Sequence, residues 1–190
     1  MLKADYQLDA KGLACPMPIV RTKKAMSSLE EGQVLEVQAT DKGSKADLTA
    51  WAASVGYQYL GTVEEGEVLL HYIRKCSNDN AFEAAHDRTA TNEEAAEAAN
   101  QGHLLIDVRE AAEYAFGHIE GAVSIPLGEL DERMNELDSK KDIYIICRTG
   151  KRSDLAAQKI AKAGYSNVYN VLPGMSNWKG ELKQTVKVEG

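Results

Sequence analysis

From Thr91 onward, short apolar stretches alternate with helical patterns, and few folds accept that order. Thr91-Asn92-Glu93-Glu94 reads as a capping box opening a helix that ends near Gly102. Residues 104–108 form an apolar run ending in Asp-Val-Arg, the pattern of a parallel strand buried on both faces. Residues 123–125 read as a second strand. Leu127, Leu130, Met134 and Leu137 mark an amphipathic helix. A third strand is expected at 143–146, a helix at 152–163 stopped by Gly164, and a fourth strand at 167–171. Strands separated by helices imply a central, mainly parallel sheet covered on both sides.

The first 75 residues follow a different order. A short strand at 6–8 precedes a helix at 16–29 with Ile19, Met26 and Leu29 on one face and Gly32 just past its end. A strand at 34–39 comes next. Leu48, Trp51, Ala52 and Val55 then recur at helical spacing and read as core. Strands at 57–63 and 67–73 join at Glu65-Gly66. The order βαβαββ predicts a two-layer sandwich. Residues 76–90 are polar and aperiodic and read as a linker, dividing the α/β chain into domains at 1–75 and 91–190.

The bulk numbers exclude several classes. At 190 residues with 44% hydrophobic and 27% charged side chains, the chain suits two small cored domains better than disorder. Net charge is −7, about −1 up to Lys75 and −6 beyond it. This argues against a broad nucleic-acid surface and leaves room only for a local basic site. No apolar run is long enough for a bilayer, and MLKADYQLDA does not resemble a signal peptide, so a cytoplasmic protein with no membrane partner is expected. Three cysteines, Cys15, Cys76 and Cys147, make a poor disulfide framework. No CxxC pair or Cys/His cluster calls for a metal, and no cofactor is expected.

Attention therefore falls on the thiols. Cys147 ends the strand IYIIC and is followed by Arg148, Thr149, Gly150, Lys151 and Arg152 before a helix. Ligands of open α/β sheets bind beyond the carboxyl ends of strands. A tight loop entering a helix turns backbone N–H groups inward as an anion nest. With three basic side chains added, such a loop favours a thiolate over a thiol and would hold an anionic donor. The alternative is a buried, structural strand-end cysteine. The basic, glycine-containing loop weighs against it.

LLIDVREAAEYAFGHIEGAVSIP (104–126), CRTGKRS (147–153) and LPGMSNWKG (172–180) together resemble a single-domain rhodanese over roughly 88–180. The resemblance implies a sulfurtransferase in which Cys147 takes sulfane sulfur from thiosulfate, a polysulfide or a small persulfide, then yields it to a thiol or protein acceptor. Residues 148–152 would bind the donor. It also makes Arg109 a donor contact, against the alternative of an ion pair with Asp107 or Glu113. Gly117 and Gly121 read as turn residues and His118 as a structural histidine. Cysteine phosphatases and arsenate reductases share a Cys…Arg cradle, but theirs has five intervening residues. Here four lie between Cys147 and Arg152, a smaller ring better suited to sulfur.

In the first half, Cys15 precedes Pro16 and Pro18. Proline is favoured in a first helical turn, which places Cys15 at or beside the N-cap, where unpaired N–H groups lower a thiol pKa. A proline-built helix start with an incidental cysteine fits the spacing equally well. Asp9, Gly12, Cys15-Pro16, Pro18, Lys23-Lys24 and DKGSKADLTAW (41–51) resemble a TusA-like (SirA-like) sulfur carrier over 6–75. This implies that Cys15 carries a persulfide sulfur and exchanges it with a partner. Cys76 reads as dispensable, the alternative being a resolving thiol. Two function classes stay open: a sulfurtransferase relaying sulfur between Cys147 and Cys15, and a thiol-based sensor of reactive sulfur without turnover.

Overall fold

The computed structural model describes residues 2–76 and 83–186. The chain divides into two compact units with the break near Asn78. Among the described residues no helix is long and apolar enough to cross a membrane.

The first unit contains β1 (Tyr6–Asp9), α1 (Met17–Ser27), β2 (Val34–Ala39), α2 (Ser44–Ser54), β3 (Gln58–Glu65) and β4 (Val68–Arg74). The βαβαββ order is as expected. The sheet order is β1-β2-β4-β3, with β1 parallel to β2 and the other pairs antiparallel. Leu35 sits opposite Ile73 across the β2–β4 ladder. These two and Val37 form one core with Met26 of α1 and Leu48 and Ala52 of α2. Val55 departs from expectation: α2 ends at Ser54, so Val55 becomes its C-cap and is exposed.

The second unit contains β5 (Thr89–Thr91), α3 (Asn92–Asn100), β6 (Leu104–Asp107), α4 (Ala111–Phe116), β7 (Val123–Ser124), α5 (Leu130–Arg133), β8 (Ile143–Ile146), α6 (Lys151–Lys162) and β9 (Val168–Leu172). Its five strands are all parallel, in the order β5-β9-β8-β6-β7. Side chains alternate across β8 as strand geometry requires. Ile143, Ile145 and Cys147 face the α5–α6 side, while Ile146 faces a second core with Ala95 of α3 and Val171. Each of these fully buried isoleucines contributes about 1.5–3 kcal/mol. The same parity aims Cys147 at α6.

Three local expectations change. The Leu127–Leu137 stretch is broken, with 3-10 turns on either side of a short α5. The helix α4 had no clear periodic signal. The stretch read as a linker carries order at its end: Thr89–Thr91 pairs with β9, and the N–H groups of Ala85 and His86 donate to Asp154 on α6. Part of that stretch, 77–82, lies outside the described residues. The capping box at Thr91 forms as read: Thr91 Oγ1 accepts from Glu94 N, and the Glu94 carboxylate accepts from Thr91 N.

Candidate active site

Cys147 leaves β8 into a loop that ends at Gly150, the N-cap of α6. Gly150 has φ 100°, a left-handed conformation that costs a side-chain-bearing residue about 1–2 kcal/mol. That turn sends the Gly150 N–H back to Cys147 Sγ at 3.1 Å. Ser153 Oγ lies 3.2 Å from the same sulfur. The Cys147 residue is 1% exposed. Of the residues expected to form the cradle, Gly150 touches the sulfur. Arg148 and Thr149 are half-buried in the loop, and Lys151 is exposed.

Arg152 is held elsewhere than expected. Its guanidinium donates two hydrogen bonds to Glu113, of 2.7 and 3.0 Å, and the Glu113 side chain is wholly buried. Burial works against the Arg152 charge, but Glu113 more than offsets it, with Cys147 and Glu110 adding to the effect, so its pKa is raised. Arg152 therefore acts on the sulfur as a fixed, nearby positive charge. Arg109 is nearly buried and bonds Asp107 at 2.6 Å and the Gly117 carbonyl at 2.7 Å, so the ion pair read as the alternative to a donor contact is formed. His118 Nδ1 donates to the Tyr114 carbonyl and the ring stacks on Tyr114, as a structural histidine would.

A second chain segment fixes the loop from outside. Met175 N donates to Cys147 O and Ser176 N to Arg148 O, both at 2.9 Å. Gly174, just before them, exchanges hydrogen bonds with the buried Asn92 side chain.

Cys15 is exposed and precedes α1, with Pro16 at the N-cap. Its thiol departs from the expectation of a lowered pKa. Asp47, in the first turn of α2, hydrogen-bonds the thiol and pushes its pKa up, with desolvation and Asp41 adding to the shift. The carboxylate that raises the pKa is brought to Cys15 by tertiary packing. The turn carrying Asp41 is held by a buried network. Ser44 donates to Asp41 O, so His71 Nε2–H must donate to Ser44 Oγ at 2.8 Å, and His71 Nδ1 accepts from Tyr59 OH at 2.7 Å. Burial, aided by Lys45, lowers the His71 pKa to about 4. Cys76 is half-buried and accepts a hydrogen bond from Arg74 at 3.2 Å. Among the described residues no cluster of His, Cys, Asp or Glu is arranged to hold a metal.

Sequence reasoning missed Ser153, Glu113, Asn170, Gly174 and Asp47 as site residues. Ser153, Glu113, Gly174 and Asp47 all stood inside the quoted motifs without a reading as site residues, and Glu113 was named only as an ion-pair alternative for Arg109. Asn170 lay in a predicted strand and carried no local signal.

Residues 6–75 match the family described as Sulfurtransferase TusA, and residues 91–181 match the Rhodanese-like domain. YrkF of Bacillus subtilis, assigned as a sulfur carrier protein, is 50% identical over 185 residues, covering 96% of this chain and 100% of that protein. YtwF of the same organism, assigned as a sulfurtransferase, is 42% identical over 85 residues, covering 45% of this chain and 82% of that protein. A rhodanese-related protein from Thermoplasma volcanium has a similar solved structure, with TM-score 0.44 and 31% identity, covering 48% of this chain and 89% of that one.

Proposed function

The chain belongs to the family in which a TusA sulfur-carrier domain is fused to a rhodanese domain, and from that premise we propose that it is a sulfurtransferase with Cys147 as its nucleophile. The observation that carries this reading is the sulfur of Cys147 at the carboxyl end of β8, with the Gly150 N–H aimed at it from 3.1 Å.

In the first half-reaction the Cys147 thiolate attacks the outer, sulfane sulfur of thiosulfate or a small persulfide. The new S–S bond forms as the donor's own S–S bond breaks, and sulfite or a thiolate leaves. Cys147 is then a persulfide with its charge on the outer sulfur. In the second half-reaction an acceptor thiolate attacks that outer sulfur, and Cys147 departs as a thiolate. Covalent catalysis of this kind gives ping-pong kinetics. The fixed charge of Arg152 and the helix start behind Gly150 favour negative charge at Cys147 in both steps. Arg148 and Lys151 offer cations to an anionic donor.

The acceptor in this reading is Cys15, in a carrier domain taken as residues 1–75 and tethered to a rhodanese domain taken as 91–190. Its raised pKa keeps Cys15 largely a thiol near neutrality, so its attack must be accompanied by proton loss. Three unpaired cysteines suit a reducing cytoplasm.

The test is intact mass spectrometry after exposure to thiosulfate, with wild type and each Cys→Ser variant, paired with a turnover assay using a thiol acceptor. A gain of one sulfur at Cys147 with repeated turnover supports the enzyme. One stoichiometric modification without turnover supports the sensor instead.

A further inference from the structure

Ser153 has one hydroxyl proton and three acceptors around it. Asn170 Oδ1 lies at 2.6 Å, Gly150 O at 3.0 Å and Cys147 Sγ at 3.2 Å. The Asn170 orientation follows from its other end. Asn170 Nδ2 lies 3.3 Å from Gly150 O and 3.5 Å from Asp154 Oδ1. Both are acceptors, so a flipped amide would set oxygen against oxygen twice. A 2.6 Å contact is also the length of an O–H···O bond rather than an N–H···O bond. The oxygen of Asn170 therefore faces Ser153, and both residues are 0% exposed, which keeps water from supplying another proton.

We propose that the Ser153 hydroxyl is a proton switch on Cys147: its hydrogen turns to Asn170 while Sγ is uncharged and to Sγ when Sγ carries charge. The inference rests on the sulfurtransferase reading and deepens it. Ser153 touches the reacting sulfur and is a catalytic residue. Asn170 acts only through Ser153 and is a positioning residue.

The states balance at each step. With Cys147 as a thiol, S–H donates to Ser153 Oγ and Ser153 donates to Asn170. When a solvent base removes the thiol proton, the sulfur has nothing to donate and a lone pair of Ser153 would face its charge. Rotation of the hydroxyl about Cβ–Oγ replaces that repulsion with a charge-assisted hydrogen bond, and no proton changes owner. After sulfur is taken up, the charge lies on the outer sulfur and the hydroxyl returns to Asn170. When an acceptor attacks and Sγ leaves as a thiolate, the hydroxyl turns back. The bond to Sγ thus strengthens as the leaving group develops, where it accelerates transfer. Asn170 competes for the same proton and so holds Cys147 toward its uncharged forms.

The charged groups on the loop and on the elements beside it are Arg148 in the loop, Lys151, Arg152 and Asp154 on α6, Glu110 and Glu113 at the start of α4, and Asp107 at the end of β6 with its partner Arg109. None is changed by the substitutions that test the switch.

The test is the pH dependence of iodoacetamide alkylation at Cys147 in the full chain, read on the Cys147 peptide by mass spectrometry. Ser153→Ala should move the midpoint up by about one unit, a roughly tenfold loss of thiolate at a fixed lower pH. Ser153→Thr should keep the wild-type midpoint. Asn170→Ala should move it down, the opposite direction, and should have no effect in a Ser153→Ala background. Asn170→Leu fills the space and serves the same purpose if the alanine variant does not fold. An unmoved midpoint in Ser153→Ala, or an upward shift in either Asn170 variant, overturns the switch. If neither Asn170 variant folds, the Ser153→Ala and Ser153→Thr pair decides. Alkylation needs no sulfur transfer. A chain with these shifts and no turnover sinks the sulfurtransferase reading alone, and turnover without them sinks only the switch.

Discussion

A Cβ placed on Gly174 would lie 2.6 Å from the carbonyl oxygen of Cys147 and 2.9 Å from that of Arg148. Both obstacles are backbone, so no side chain can yield. Gly174 also has φ 91° and ψ −166°, a region that essentially only glycine enters. The Pro173–Gly174 turn is thereby pressed against the reactive loop at van der Waals distance, which lets Met175 and Ser176 bond its carbonyls.

Gly174→Ala should therefore destabilise the chain by about 1–3 kcal/mol through backbone strain alone. It should also slow thiosulfate turnover by at least tenfold at temperatures where the variant is folded, because the loop must move. Urea denaturation and steady-state rates check this. Wild-type values for both would show that the turn yields without moving Cys147.

Arg152→Ala should be costly for a reason separate from catalysis. It removes the guanidinium that donates two hydrogen bonds to Glu113, whose side chain is 0% exposed. Breaking one side of a buried pair typically costs about 3–5 kcal/mol. Pairing Arg152→Ala with Glu113→Gln should recover part of that stability while turnover stays low. Equal stability of the single and double variants would mean that Glu113 is satisfied without Arg152.

The carrier unit should lose stability in mild acid. His71 is lowered from 6.5 to about 4 in the folded chain, so the unfolded chain takes up the proton first. The contribution is fully present above pH 6.5 and is lost as pH falls from there toward 4, with a ceiling of roughly 3 kcal/mol. Urea unfolding followed by Trp51 fluorescence in a Trp178→Phe background, at pH 7.5 and 4.5, reads the loss. His71→Gln should flatten that dependence. An equally steep one would place it on other groups.

Asp47→Asn should make Cys15 more reactive near neutrality. The carboxylate that hydrogen-bonds the thiol raises its pKa, so removing that charge shifts the alkylation profile of Cys15 to lower pH, while Asp47→Glu should largely keep it. A Cys15 alkylation rate at pH 7.5 indifferent to this charge would show that Asp47 does not control the thiol.

Cys147→Ser should abolish turnover and prevent labelled sulfur from reaching Cys15. Full-length protein loaded with substoichiometric labelled thiosulfate should show label passing to the Cys15 peptide at a rate independent of protein concentration. Label arriving at Cys15 equally well without Cys147 would sink the relay. Cys76→Ser should leave transfer intact.

Much of this architecture was legible in residue order. The apolar run 104–108 announced a parallel strand buried on both faces, the Thr91–Glu94 pair a helix start, and the glycine-containing loop after Cys147 the turn that bends an amide back to the sulfur. These signals are local, because periodicity, capping and φ preference act over a few neighbouring residues. What surrounds the two sulfurs was decided by tertiary structure. Arg152 meets Glu113 across 39 residues of chain, and Ser153 meets Asn170 across 17. Asp47 reaches Cys15 only once α1 and α2 pack together, and it raises the thiol pKa, where the residues next to Cys15 had pointed to a lowered one. A charge or hydroxyl in a sequence has no partner until packing brings one within about 3 Å. The two candidate thiols were therefore legible in the chain, and the groups that face them were set by the fold.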